Sequence, residues 1–149
     1  MAAPKRPSIE GIHHVKLASS NLQVTHDFYT DVLGFTAVPQ LTHRDRNSRI
    51  YAFLMRAPGN TMVEVRDHAE QAEGQQGWDP ITWAVRGQQD LIAWGQWFDK
   101  KGVHHSKVLK GVQGWVMAAK DPDGKMVRLH TIETHEWTDE PDQDDYWLS

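Results

Sequence analysis

Three stretches of the chain place ionisable side chains at every second position. His14 and Lys16 alternate with Val15 and Leu17, Glu64, Arg66 and His68 with Val63 and Val65, and Met126, Arg128 and His130 with Val127 and Leu129. A period of two is that of a β-strand, whose successive side chains point to opposite faces. Each strand therefore carries an oily face, suited to packing against helices, and a face of imidazole, carboxylate and guanidinium groups. Such a face is either solvated or lines a cavity. In a cavity its chemistry is proton exchange by His14 or His130 near neutral pH, with Lys16, Arg66 and Arg128 available to a carboxylate, phenolate or enolate. Trp115 and Met117, together with Met126, are candidates for the wall of a pocket that takes a flat aromatic molecule.

Several other chemistries are excluded by composition. The 149 residues include no cysteine, so there is no disulfide, no thiolate metal site and no cysteine nucleophile, and any metal would be held by His and carboxylates. A reducing compartment, the cytoplasm, is expected. Lys and Arg number 16 against 20 Asp and Glu, and no basic stripe accompanies the aromatics, so nucleic acid is not an expected partner. No apolar run approaches the length of a membrane span, and the start MAAPKRPSIEG lacks the apolar region of a secretory signal.

The elements that must position these residues occur twice. A strand over 12–19 is followed by a helix from Asn21, a natural N-cap, to Leu33, where Gly34 stops it. Strands over 35–42, 49–56 and 61–67 complete a βαβββ module. Residues 69–79 read as a linker, and the pattern then restarts: strand 81–86, helix 88–101 ended by Gly102, and strands 103–109, 114–120 and 126–131, the last two joined by the turn Asp121-Pro122-Asp123-Gly124. The expected organisation is one α+β domain over 9–132, built from modules 9–68 and 80–132 around a sheet-lined cavity. An acidic tail, 133–149, is either solvated or offers Tyr146, Trp147 and Leu148 to a neighbouring surface.

On this duplicated pattern, IEGIHHVKLASSNLQVTHDFYTDVLGF and the later DPDGKMVRL resemble the vicinal oxygen chelate superfamily of glyoxalase I, fosfomycin and bleomycin resistance proteins and extradiol dioxygenases. The resemblance implies two βαβββ modules, frequent dimerisation, and often one divalent metal held from the first, fourth, fifth and eighth strands. Carried over, the first and fourth ligand positions fall on His14 and Glu64, the fifth on Pro80 and the eighth on Arg128. Proline and arginine cannot ligate a divalent ion, which leaves two ligands where a catalytic zinc site has three. Arg128 is instead expected to pair with Glu64, its fixed charge standing in for the metal. The rival set, His14, Glu64 and His130, has the composition of a zinc, iron or manganese site.

The expected protein is therefore a homodimeric small-molecule enzyme of isomerase, lyase or cyclase type, with His14, Glu64, Arg128 and His130 at its centre and no metal favoured. The alternatives are a protein that sequesters an aromatic natural product or drug and, third, a metal-dependent oxygenase or glyoxalase-type enzyme.

Overall fold

The computed structural model describes residues 4–148, the side chains of Asp145 and Leu148 excepted. Two sheets with the same strand order make up the fold. In the first, β1 (Val15–Ser19) lies parallel to β5 (Met62–Asp67), β5 antiparallel to β4 (Ile50–Arg56), and β2 (Thr36–Ala37) and β3 (His43–Arg44) both pair with β4. The second repeats this with β6 (Thr82–Val85), β9 (Met126–Thr131), β8 (Trp115–Lys120) and β7 (Leu109–Lys110). The α+β architecture read from the hydrophobic period is the one observed. No helix among the described residues is long and apolar enough to cross a membrane.

Where elements are shorter than expected, the cause is local. Strand β1 starts at Val15 because its ladder begins at Val15↔Val63, and the residues preceding β5 belong to the Pro58–Asn60 turn. Beyond Ala37, Pro39 brings no N–H to a ladder and opens a tight turn, Pro39–Leu41. Strand β7 has two residues rather than seven, since the Ser106 hydroxyl accepts the Ala118 N–H (3.0 Å) where a ladder bond would form. The first helix is α only over Leu22–Asp27 (α1), capped by Asn21, whose side chain accepts from Val24 N (3.2 Å). It then widens into a π turn, Phe28–Val32, which lets the consecutive Phe28 and Tyr29 both reach the core. The linker also holds a short helix, α2 (Ala69–Gly74). His68 caps it through Nδ1 and so does not serve as a further base beside Glu64.

The helix-facing sides of both sheets share one core. Leu17, Met55, Val63 and Val65 of the first sheet and Met117, Ala119, Val127 and Leu129 of the second cluster with Phe28, Tyr29 and Leu33, and with Leu91 and Phe98 of α3 (Gln88–Lys101). This corrects the proposed aromatic pocket. Met117 faces the helices, whereas Met126 belongs to a separate cluster with Leu109, Val116 and Ala118, so Trp115, Met117 and Met126 do not share a wall.

The tail is also seated differently from expectation. It follows the β7 edge, with His135 N, Thr138 N and Asp142 N donating to the carbonyls of Gln113 (2.8 Å), Val112 (3.0 Å) and Lys110 (2.9 Å). One turn, α4 (Asp145–Leu148), then buries Trp147 against Leu109, Val116, Ala118 and Met126 of its own chain.

A buried charge cluster fastens the two modules together. The turn after β8 carries Asp121, Asp123 and the fully buried Lys125, whose ammonium contacts Asp121 Oδ2 (3.0 Å) and Asp123 Oδ2 (3.6 Å) and donates to the Ala18 carbonyl in β1 (2.7 Å). Tyr29 Oη donates to Asp121 (3.1 Å), and Ser20 binds Asp123 through its N–H (3.2 Å) and its hydroxyl. Burial pushes the Asp121 carboxyl up, with Lys125 opposing, and burial together with the Asp121 charge pushes the Tyr29 phenol well up. Asp123 is also desolvated, but the Ser20 hydrogen bonds and Lys125 outweigh that and hold it below the usual range.

Lys125→Met leaves Asp121 buried without its cation, and it should destabilise the fold by about 3–5 kcal/mol in equilibrium urea unfolding. Asp123 has a depressed folded pKa, so its contribution is present above the unfolded value of about 3.9 and is lost as pH falls through the folded one. Asp123→Asn should accordingly be less stable than the parent at pH 6. The gap should narrow below about pH 3, as read from urea midpoints across that range.

Candidate functional site

Away from the helices, each sheet presents an inner face. On the first, strand register sets Lys16 and Leu54 on either side of Glu64, and Ala18 and Ala52 on either side of Arg66. Glu64 sits on a central strand and its side chain is only 2% exposed. A carboxylate that far from water needs compensation, and alternation supplies it: Arg66, two residues on and on the same face, puts Nε and Nη2 each 2.6 Å from Glu64 Oε1. The Arg66 guanidinium in turn rests 5.3 Å from the centre of the Tyr51 ring.

The other carboxylate oxygen faces a base. Glu64 Oε2 lies 3.3 Å from His14 Nε2, and His14 Nδ1 is 2.9 Å from Nδ1 of the exposed His13. The imidazole is thus held at one nitrogen by a buried anion and reaches, through its other nitrogen, a second imidazole in water. A carboxylate in this position orients the ring, as required of a group that accepts and returns protons. Lys16, on the same face, is exposed and forms no ion pair with a described residue.

The second inner face carries Arg128 and His130, in register with Thr82 and Ala84 of β6 and with Ala118 and Val116 of β8. The expected Arg128–Glu64 pair does not form. Arg128 binds Asp79 through Nε and the Trp147 carbonyl through Nη2 (2.9 Å), and Glu64 is satisfied by its own strand. His130 Nδ1 contacts the Thr131 carbonyl (2.9 Å), and its ring lies so close to Gly114 that a Cβ there would come within 2.9 Å of Cε1.

His14 and Glu64 are brought together, and neither Arg128 nor His130 joins them. Among the described residues no group of three or more His, Asp or Glu is close enough to hold a metal ion. His14 and Glu64 supply two ligands, and Arg66 already occupies one Glu64 oxygen, so this donor set does not fit the divalent metal that the resemblance implies. Sequence reasoning missed His13, Asp79 and Trp147 as partners. It had noticed that Glu64 and Arg66 share a face, which was the available signal for their pairing.

Of the tryptophans, Trp83 and Trp94 line a cleft of about 260 Å³ with Leu33, Phe35 and Leu129 on the helix-facing side, apart from the ionisable groups.

Known proteins agree with this architecture. A glyoxylase/bleomycin resistance protein/dioxygenase domain from Frankia sp. EAN1pec superposes with a TM-score of 0.67 at 20% identity, over 87% of this chain and 95% of that one. A fosfomycin resistance protein, FosX, from Listeria monocytogenes, complexed with Mn(II) and 1S,2S-dihydroxypropylphosphonic acid, gives 0.68 at 13% identity over 83% and 93%. In sequence, the chain is 28% identical over 126 residues to "Putative ring-cleaving dioxygenase MhqA" of Bacillus subtilis (strain 168). That match takes in 81% of this chain but only 40% of the relative's length. Residues 11–129 match the model of the Glyoxalase/Bleomycin resistance protein/Dioxygenase superfamily, and the chain, alike in its duplicated sheets and over most of its sequence, belongs to that superfamily.

Proposed function

We propose that the protein is an enzyme that moves a proton on a small oxygenated organic molecule, in an isomerase-, lyase- or cyclase-type step that needs no divalent metal. The observation that carries this reading is the buried Glu64 carboxylate, shared between the Arg66 guanidinium and the His14 imidazole. Arg66 neutralises Glu64 and fixes its orientation. Glu64 holds the His14 ring and balances the charge the ring acquires when it takes a proton. With Nε2–H given to Glu64, the substrate proton is taken at Nδ1, where the exposed His13 gives way to the substrate and afterwards relays the proton to water. Lys16, free on the same face, supplies positive charge to the enolate or phenolate oxygen that develops as the proton leaves.

Arg128 and His130 belong to the second inner face, and no hydrogen bond or ion pair among the described residues joins them to His14 or Glu64. We read the protein as a homodimer in which the inner faces are closed by a second copy. Light scattering should then return twice the 17.1 kDa chain mass at micromolar concentration.

Solvent exchange tests the chemistry. In D2O containing EDTA, proton NMR of dihydroxyacetone, 2-hydroxyacetophenone and 1,3-cyclohexanedione should show hydrogen loss at the carbon beside a carbonyl, faster than in buffer for at least one of them. His14→Ala should lower that excess rate by about 10²–10⁴-fold. Oxygen uptake on catechol that requires added Fe(II) would overturn the reading in favour of the ring-cleaving chemistry for which the Bacillus subtilis relative is named. Stoichiometric binding of an aromatic compound with no turnover would instead identify a sequestering protein.

A further inference from the structure

The second inner face already holds an aromatic group, supplied by the chain itself. The Trp147 indole lies on a floor of Leu109, Val116, Ala118 and Met126, with the His104 ring centre 5.0 Å away. Above it, Arg128 Nη2 donates to the Trp147 carbonyl (2.9 Å), and the Lys120 ammonium bonds to the Tyr146 hydroxyl. Lys120 is thus spent on a neutral oxygen at the rim of an apolar floor, and Arg128, whose Nε is paired with Asp79, spends Nη2 on another. An ionised oxygen would form the stronger, charge-assisted bond in either place.

The segment holding Trp147 there is lightly attached. Its floor is a cluster separate from the core shared by the two modules, so lifting the tail leaves that core intact. Trp147 is buried, but its neighbour Tyr146 is 53% exposed, and Ile132 and Trp137 in the connecting stretch are 70% and 64% exposed. Residues 133–149 contain seven Asp and Glu with no Lys or Arg, which leaves the rest of the chain net positive. Asp142 accepts from the Lys110 N–H (2.7 Å) at the β7 edge, while Lys120 and Arg128 lie towards the other end of the β8–β9 pair. The opposite net charges of the tail and the rest of the chain favour the seated tail, and salt screens that attraction.

We propose that the C-terminal segment is a displaceable plug: Trp147 occupies a subsite for a flat aromatic carboxylate or phenolate, whose ring replaces the indole and whose anionic oxygen replaces the Trp147 carbonyl on Arg128. The proposal goes beyond the proton-transfer reading and rests on none of its residues. Its test uses binding and tail position, with no turnover, so either can fail alone.

The probe is 1-naphthoate, with 1-naphthalenemethanol as its neutral counterpart. In the full chain labelled with 5-fluorotryptophan, Trp147→Phe assigns the Trp147 fluorine signal. Saturating 1-naphthoate should move that signal to its solvent-exposed position and raise amide deuterium exchange over 142–148. A chain ending at residue 138 should bind 1-naphthoate at least tenfold more tightly than the full chain. Raising NaCl to 0.5 M should narrow that difference. Arg128→Gln in the shortened chain should remove most of the preference for 1-naphthoate over 1-naphthalenemethanol. An unmoved Trp147 signal at saturation would overturn the proposal, and so would affinity that is unchanged or weakened by truncation, which makes the tail a fixed wall. Absence of binding at millimolar probe in the shortened chain would show that the floor is no subsite. The fluorine and exchange measurements on the parent chain stand even if a variant misfolds.

Discussion

A single buried ammonium ties one half of this molecule to the other. Lys125 belongs to the turn of the second module, yet its charge is satisfied partly by the Ala18 carbonyl of β1, and the two aspartates beside it bind Tyr29 and Ser20 of the first module. Desolvating an ammonium and two carboxylates is costly, and only the full set of partners offsets it. The cost makes the contact selective: displacing one module against the other would strip these buried charges of the Ala18, Tyr29 and Ser20 hydrogen bonds that complete their surroundings. Apolar packing such as that of Phe35 on Trp83 tolerates small slips far better. The relative placement of the inner faces therefore follows from the ion cluster, and the shared core fills in around it.

Charge on the inner faces is balanced by a different rule. Glu64 finds Arg66 two residues along its own strand, and Arg128 finds Asp79 in the segment that leads into the neighbouring β6. Each module neutralises its ionisable face without help from the other. An Arg128–Glu64 pair would have required the two faces to meet within one chain. Local pairing leaves His14 with one oxygen of a carboxylate already held in place, which suits a proton carrier better than a metal ligand.

The repeat, the faces of β5 and β9, the Asn21 cap and the stop at Gly102 were all legible, because period, capping chemistry and left-handed glycine are local properties. Side-chain partners were legible only where they are also local. Alternation placed Glu64 and Arg66 on one face but could not say that Arg66, and not Arg128, would take the carboxylate. His68 had the right spacing for that face and instead caps α2, where its Nδ1 accepts the otherwise unsatisfied Gln71 N–H. Met117 and Met126 looked alike as apolar residues, yet they lie on opposite sides of the sheet, which follows from the pairing Lys120↔Met126 and could not be read without it. Composition marks the tail as acidic and aromatic but does not specify that the surface it covers belongs to the same chain.

That seat has a consequence for how the second module holds together. Strand β7 has two residues and an open outer edge, and its neighbours Val116 and Met126 would expose an apolar floor without cover. By hydrogen-bonding along Lys110, Val112 and Gln113 before turning inward, the tail shields the edge with an acidic segment and the floor with an indole. The same contacts that protect the module from pairing with other chains are hydrogen bonds at an exposed edge and one indole, so they can be exchanged for an anionic aromatic without disturbing the buried cluster around Lys125. Stability is concentrated at the module junction and kept low at the strap, which is the distribution expected where one part of a fold must hold geometry and another must yield to a ligand.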